Sequence, residues 1–357
     1  MIIGRILLGD NMAGKKTYII GNSSRAASLE QLCRAESDKL EVIKENFEPE
    51  RVETIRSAYD TKIVFLLDGI SNYLANLGTI RKQRKDIFAV GFDTTHNLPK
   101  AQQYLQGLQL LKEASANLIL SHDQETGINM IVAPEETTYH VTADEQEVLH
   151  NLAEIAYLRS HLTFTRSTVV AGNPVNWNST LVPQSLMEVV DYCRARGAYK
   201  VFNGATTGHF AVKLDDHTFL TSRRKTDFNQ LDQIGLVKVT TDGPDSVIAY
   251  GSKPSVGGQS QRIVFQQHPE YDSIVHFHCP KKKGSAVPRV SQREYECGSH
   301  ECGKNTSRGL YKFGDLSAVY LDNHGPNIVF NGNIDPQEVI NFINENFDLE
   351  KKTGGYV

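Results

Sequence analysis

Two rhythms of apolar residues run along this chain, and the switch between them limits its fold more than any other feature. Up to about residue 165, short apolar runs that end in polar turns alternate with helix-like stretches. "KTYIIGNSS", "TKIVFLLDG", "DIFAVGFDTT" and "ANLILSHD" read as buried strands, and "RAASLEQLCRAES" and "AQQYLQGLQLLKEA" as the helices between them. "TADEQEVLHNLAEIAYLRSHL" (142–162) closes the segment as a long helix. Such alternation predicts parallel strands with helical crossovers and a ligand site beyond the strands' carboxyl ends, where Asn22, Ser23, Asp68, Asp93, Thr94 and Asp123 would gather. After "TRSTVVAGNPVNWNSTLVP", which lacks helical periodicity, strand pairs joined by tight turns take over. The expected architecture is therefore α/β in two parts: a Rossmann-like domain at 1–165, a linker at 166–182, and a domain at 183–357 with a mostly antiparallel sheet flanked by helices.

Composition fits that division. A chain of 357 residues exceeds the size at which one core stops growing, roughly 250–300 residues. No apolar run approaches the roughly 20 residues of a membrane helix, and "MIIGRILLG" turns polar too soon for a secretory signal. Five cysteines at no disulfide-framework spacing point to a reducing cytoplasm. A formal charge of −4 gives no general reason to expect nucleic acid, although "SRRK" (222–225) and "PKKKG" (280–284) are local basic spots.

"SIVHFHCP" (273–280) carries the chemistry. In an extended strand positions i and i+2 face the same way, about 7 Å apart, so His276 and His278 can converge on one ion. A third imidazole, His324, sits in the tight turn of "YLDNHGPNIVF". Three neutral imidazoles that leave coordination positions open are the donor set of a catalytic divalent ion. A competing set, Cys279, Cys297, His300 and Cys302 in "HFHCP...YECGSHECG", would make a closed structural site, although Cys-x4-Cys is not a standard zinc spacing.

These residues resemble a known family. "KPS" followed by "QRIVFQQHPEYDSIVHFHCP", and later "YLDNHG", are similar to the pattern of the class II aldolase/adducin family; "TTGHFAVKL...FLTSRRKTDFNQL" resembles its upstream phosphate-binding segment. The likeness spans about residues 183–347. It implies metal ligation by His276, His278 and His324, with a divalent ion, zinc foremost, stabilising an enediolate of a small phosphorylated sugar or hydroxycarbonyl compound. It also implies phosphate contacts at Thr207, Gly208, Ser222, Arg223 and Ser255, and a homo-oligomer, usually a tetramer. The function expected from it is a metal-dependent lyase or isomerase. Two departures stand out: Gly257 of "PSVG" replaces the family's acid/base glutamate, and His209 replaces its asparagine. Replacement carboxylates are offered by Glu294, Glu296, Glu301 and Asp322, and a replacement phenol by Tyr356. The alternative function is a binding scaffold that has lost turnover.

More faintly, "YIIGNSSRAASLEQL", "DIFAVGFDTTHN" and "ANLILSHD" resemble the phosphopantothenate-cysteine ligase family over about residues 17–130. That likeness implies a nucleotide-like site at Asn22, Ser23, Ser24, Phe92 and Asp93. The phosphate-binding glycines of that family are missing, however, and only glycine lets backbone amides approach a phosphate closely.

Overall fold

The computed structural model describes residues 14–36, 40–46, 48, 54–55, 57–67, 84 and 86–353. Asp68, most of "LLDGISN" and Tyr356 lie outside them. The chain divides into two compact units, one within residues 1–162 and one within 163–354.

In the first unit, strands β1 (Lys15–Ile20), β2 (Leu40–Glu45), β3 (Thr61–Leu66), β4 (Phe88–Thr95) and β5 (Leu118–Asp123) form a parallel sheet in the order β2-β1-β3-β4-β5. Strands β6 (Asn129–Ala133) and β7 (Thr137–Thr142) extend it as an antiparallel hairpin. Helices α1 (Ser24–Glu36), α2 (Lys100–Ala114) and α3 (Glu145–Ser160) pack with these strands. Both sheet faces are covered, which is why its parallel strands read as continuous apolar runs. Ile19, Ile63, Phe65, Val90, Leu118 and Leu120 pack with Leu29, Leu152 and Tyr157 on one face, while Tyr18, Ile20, Val64, Leu66 and Ala89 form the core of the other. Asp144 starts α3 by accepting the N–H groups of Gln146 and Glu147.

The second unit is built on a larger sheet. Its strands are β8 (Arg166–Val170), β11 (His209–Lys213), β12 (Thr218–Thr221), β13 (Val237–Thr241), β14 (Ser246–Tyr250), β15 (Ser273–His276), β16 (Arg289–Val290), β17 (Tyr311–Phe313), β18 (Leu316–Leu321) and β19 (Gly325–Phe330). The order is β16-β18-β19-β15-β11-β12-β13-β14-β8, with β17 also on β18. All neighbours are antiparallel except β14 with β8 and β16 with β18. A separate small hairpin, β9 (Val201–Phe202) and β10 (Ala205–Thr206), leads into β11. Helices α4 (Gln184–Ala195), α5 (Leu231–Ile234), α6 (Val256–Gln267), α7 (His300–Gly309) and α8 (Pro336–Asn346) accompany the sheet. Leu186, Val189 and Val190 of α4 and Val339 and Ile343 of α8 pack on one face against Phe210, Val275, Phe277 and Ile328. Val264 and Phe265 of α6 pack on the other against Ala211, Phe219, Ile274 and Val329.

One local reading changes, and two helix starts frame the site. The stretch expected to be a linker holds β8, paired residue for residue with β14 from Arg166–Ser246 to Val170–Tyr250, so it is an edge strand of the second sheet. Helix α6 begins at Val256, which makes the "KPS" turn its entry. The segment around Cys302 contains α7, started by the Ser299 hydroxyl accepting from Cys302 N–H.

Candidate metal centre

The antiparallel order brings the ends of five strands to one edge of the second sheet. There β15 and β18 finish, β11 and β19 start, and β12 finishes beside β11. His276 is the last residue of β15, and His278 follows two residues on. His324 sits in the β18–β19 turn, whose Asn323 has φ +56° and whose Gly325 has φ +153°. Gly325 is required by proximity as well as by φ, because a Cβ there would lie 2.1 Å from the Phe277 carbonyl oxygen. Gly208, with φ +108°, likewise leaves no room for a side chain beside the His276 carbonyl.

The three imidazoles converge. One nitrogen from each of His276, His278 and His324 lies within 4.8 Å of the other two. Ring centroids are 5.1 Å apart for His276 and His278, 4.6 Å for His276 and His324, and 4.5 Å for His278 and His324. The rings are only 1 %, 7 % and 2 % exposed in sequence order, which decides their charge. Burial first, and then the neighbouring His324 ring, hold His276 and His278 well below the usual imidazole range, so both are neutral near pH 7. His276 Nδ1–H donates to the Pro326 carbonyl at 2.7 Å, which directs its Nε2 lone pair away from the backbone. That Nε2 and the Nδ1 of His278 are buried with no hydrogen-bond partner. Orphaned neutral nitrogens at this spacing fit a divalent cation, for which Zn–N bonds are about 2.0–2.1 Å.

Around the triad lie most of the residues expected to bind phosphate. Thr207 and Gly208 precede β11; Ser222 follows β12, and its carbonyl accepts the Ser255 N–H at 2.9 Å, joining it to the entry of α6. The hydroxyls of Thr207 and Ser222 are also buried without a partner. Arg223 departs from expectation. Its Nε donates to the Ser252 hydroxyl at 3.0 Å and one terminal nitrogen to the Ile234 carbonyl at 2.9 Å, so its guanidinium braces the turn.

Sequence reasoning treated His209 only as a substitution, yet it stands opposite His276 in the β11–β15 register with the rings 4.6 Å apart. Its Nδ1 meets the amide of Gln261, which lies one helical turn beyond Gly257 on the same face of α6. An imidazole–amide pair thus occupies the side of the site where the missing carboxylate would be sought. The strand position of His209 was the signal. Of the replacement carboxylates, Asp322 is held by Arg289 at 2.6 Å, Glu294 by the Ser291 hydroxyl, and Glu301 accepts the Thr163 N–H at 2.9 Å. Glu296 is buried, and the group of ligand-spaced residues among the described ones does not include it. Cys279 packs in the main core while Cys302 packs with Val319 and Leu321, so the competing thiolate site does not assemble. A surface cavity of about 280 Å³ between Lys213, His217, Thr241 and Arg262 lies at the opposite end of β11 and β12 and touches none of the triad histidines.

In the first unit the five expected residues do not share one face. The Ser23 hydroxyl accepts Ala26 N–H at the start of α1, beside Asn22 and Ser24. Arg25 places its guanidinium 4.5 Å over the Phe92 ring and pairs with Glu145 at 2.6 Å. Asp93 points to the other face, where it accepts from Gln106 and Ser121, and burial raises its pKa. Alternation along a strand requires this of neighbours, so Phe92 and Asp93 cannot line one pocket. Asp123, expected at the same edge, is fully buried. Burial favours its neutral form, but the N–H groups of Leu98 and Thr126 and the hydroxyls of Thr95 and Thr126 outweigh that and hold it well below the usual range.

Comparison with known proteins places the second unit. No curated protein matches the chain at a significant level. Among solved structures, L-fuculose 1-phosphate aldolase is 18% identical, with 47% of this chain and 83% of that chain covered at a TM-score of 0.35. The DNA/pantothenate metabolism flavoprotein from Streptococcus pneumoniae is 10% identical over 40% of this chain and 99% of that one, with a TM-score of 0.31. The C-terminal domain of the coenzyme A biosynthesis bifunctional protein CoaBC is 10% identical over 42% and 97%, with a TM-score of 0.33. Residues 187–332, which include the histidine triad, match the family model of the Class II Aldolase and Adducin N-terminal domain, and over that span the chain resembles this family.

Proposed function

We propose that the unit within residues 163–354 is a divalent-metal-dependent lyase or isomerase acting on a small phosphorylated sugar or hydroxycarbonyl compound. One observation carries the reading: three imidazoles from separate points of the sequence converge at the sheet edge, and two of them aim buried nitrogens at no protein partner. A divalent cation, with zinc first among those that suit imidazole, would supply Lewis-acid stabilisation of negative charge on adjacent substrate oxygens, worth several kcal/mol. The chain's residues would do the rest. The Pro326 carbonyl fixes the His276 tautomer, and burial keeps His276 and His278 neutral and able to donate lone pairs. The unpartnered hydroxyls of Thr207 and Ser222, the latter residue tied through its carbonyl to the entry of α6, suit a phosphate. Assembly into a homo-oligomer is part of the same proposal.

A second reading, a binding scaffold without turnover, is favoured by Gly257 and by the absence of a carboxylate from the triad's group among the described residues. The two readings share the metal and differ in chemistry. Elemental analysis and melting curves with and without chelator test the first step; a metal-free protein whose melting is indifferent to chelator overturns both. Turnover of a phosphosugar panel that disappears in His276→Ala establishes the enzyme. A metal-loaded protein inert towards every panel member leaves the scaffold.

A further inference from the structure

Helix α6 enters at the histidine edge, where Ser255 N–H meets the Ser222 carbonyl, and its later turns reach the far edge of the second sheet. There Arg262, Phe265 and Gln266, three and four residues apart on one helix face, line the cavity of about 280 Å³ together with Lys213, Phe219 and Thr241 of β11, β12 and β13. Lys213 and Thr241 stand two residues beyond Ala211 and Val239, which pack under α6, so strand alternation turns them to the same side. Two polar atoms of these lining residues are buried with no hydrogen-bond partner, Arg262 Nε and Thr241 Oγ1. Arg262 is only 6 % exposed. Its terminal nitrogens donate to the Gly243 carbonyl at 3.1 Å and to that of Pro244, but among the described residues no ion pair includes it. Asp245 supports its charge only from a distance and lies 3.6 Å from His300. A buried guanidinium without a counter-ion is costly, and so is its unmade Nε–H bond.

We propose that this cavity is a second ligand site and that it takes a small monocarboxylate with an apolar body. The carboxylate accepts the Arg262 Nε–H and the Thr241 hydroxyl, and the apolar body lies against the buried rings of Phe219 and Phe265. Lys213, whose Nζ donates to the Pro269 carbonyl at 2.9 Å, adds positive charge to the wall. The volume is just below the roughly 300–1,000 Å³ of pockets for drug-sized ligands, so the occupant is small. At the mouth stand the exposed Asp215 and Asp216 of the β11–β12 turn, whose negative charge disfavours a dianion such as phosphate. The site shares no residue with the histidine centre and stands whether or not that centre holds a metal.

Calorimetry on the full chain tests this with three probes: benzoate, its neutral isostere benzamide, and inorganic phosphate. Benzoate is expected to bind saturably and about tenfold more tightly than either of the others, the size of one charge-assisted contact. His276→Ala leaves that affinity unchanged, which separates the cavity from the histidine centre. Arg262→Met abolishes binding. Because Arg262 also holds two carbonyls and its loss can unsettle the fold, Thr241→Val is the decisive variant. Its hydroxyl has no hydrogen bond to lose, so the melting temperature stays as in wild type while benzoate affinity falls roughly three- to tenfold. The proposal is overturned by any of four results: no saturable benzoate binding, benzamide or phosphate bound as tightly as benzoate, full affinity in Thr241→Val, or loss of binding in His276→Ala.

Discussion

At the carboxyl end of β5 in the first unit, Asp123 is ringed by two N–H groups and two hydroxyls. At the corresponding edge of the second unit, His276 Nε2, His278 Nδ1 and the hydroxyls of Thr207 and Ser222 are just as deeply placed and have no such partners. Both regions are polar strand ends under a buried roof. An unpartnered buried polar atom costs about 1–3 kcal/mol, so a fold keeps a cluster of them only where something else fills the gap. The first edge spends its polar groups on holding a loop; the second reserves them. Polarity at a strand end is thus a poor guide to a site, and unmet hydrogen-bonding capacity is a better one.

That contrast can be broken experimentally. The largest effect is expected from His276→Ala: metal content falls to near zero, and the stabilisation by metal disappears, about 3–4 kcal/mol when metal exceeds its dissociation constant by a few hundredfold. Elemental analysis with paired melting curves reads both, and a variant that still holds stoichiometric metal would show that the triad is not the site. Gly325→Ala should cost about 2 kcal/mol or more, because φ +153° and a 2.1 Å approach to the Phe277 carbonyl leave no relaxed place for a methyl group. Urea denaturation gives the figure, and a midpoint unchanged from wild type would refute the close approach.

Acid should separate the two edges. His276 and His278 have pKa values depressed in the fold, so the unfolded chain takes up their protons first. The stability they allow is present above about pH 6.5 and lost as pH falls through that value. Asp123 is also depressed, but as a carboxylate it contributes above about pH 4 and loses that contribution only below it. Hydrogen exchange of the metal-free protein along a descending pH series should therefore show protection fading in β15 and β19 before β5. Simultaneous loss would contradict the distinction. The smallest effect is expected for Ser222→Ala. Its hydroxyl has no partner to lose, so stability should change by less than about 1 kcal/mol. A larger loss would mean the hydroxyl is structurally engaged, and the second edge would look more like the first.

Much of this was legible in residues. The parallel sheet of the first unit follows from near-continuous apolar runs alternating with helical patterns, since only strands covered on both faces can be apolar throughout. The histidine pair follows from the two-residue repeat of a strand, and the start of α8 from Asp335 with Pro336 behind it. The opposite faces of Phe92 and Asp93 were equally available from that repeat. Other features were not. Strand β8 is recognisable only beside β14, because a half-exposed edge strand among Gly, Pro and Asn carries no strong pattern of its own. The opposition of His209 and His276 depends on strand register, and the bond from Thr353 N–H to the His278 carbonyl depends on where α8 ends in space.

By itself the sequence determined which elements form and which imidazoles share a strand face, because side-chain periodicity and turn chemistry act over a few residues. Only the tertiary structure decided that His324 closes the triad, that His209 faces His276, and that Arg223 is spent on a turn. Those outcomes depend on contacts between residues distant in the chain, and on which buried polar atoms the finished packing leaves without partners.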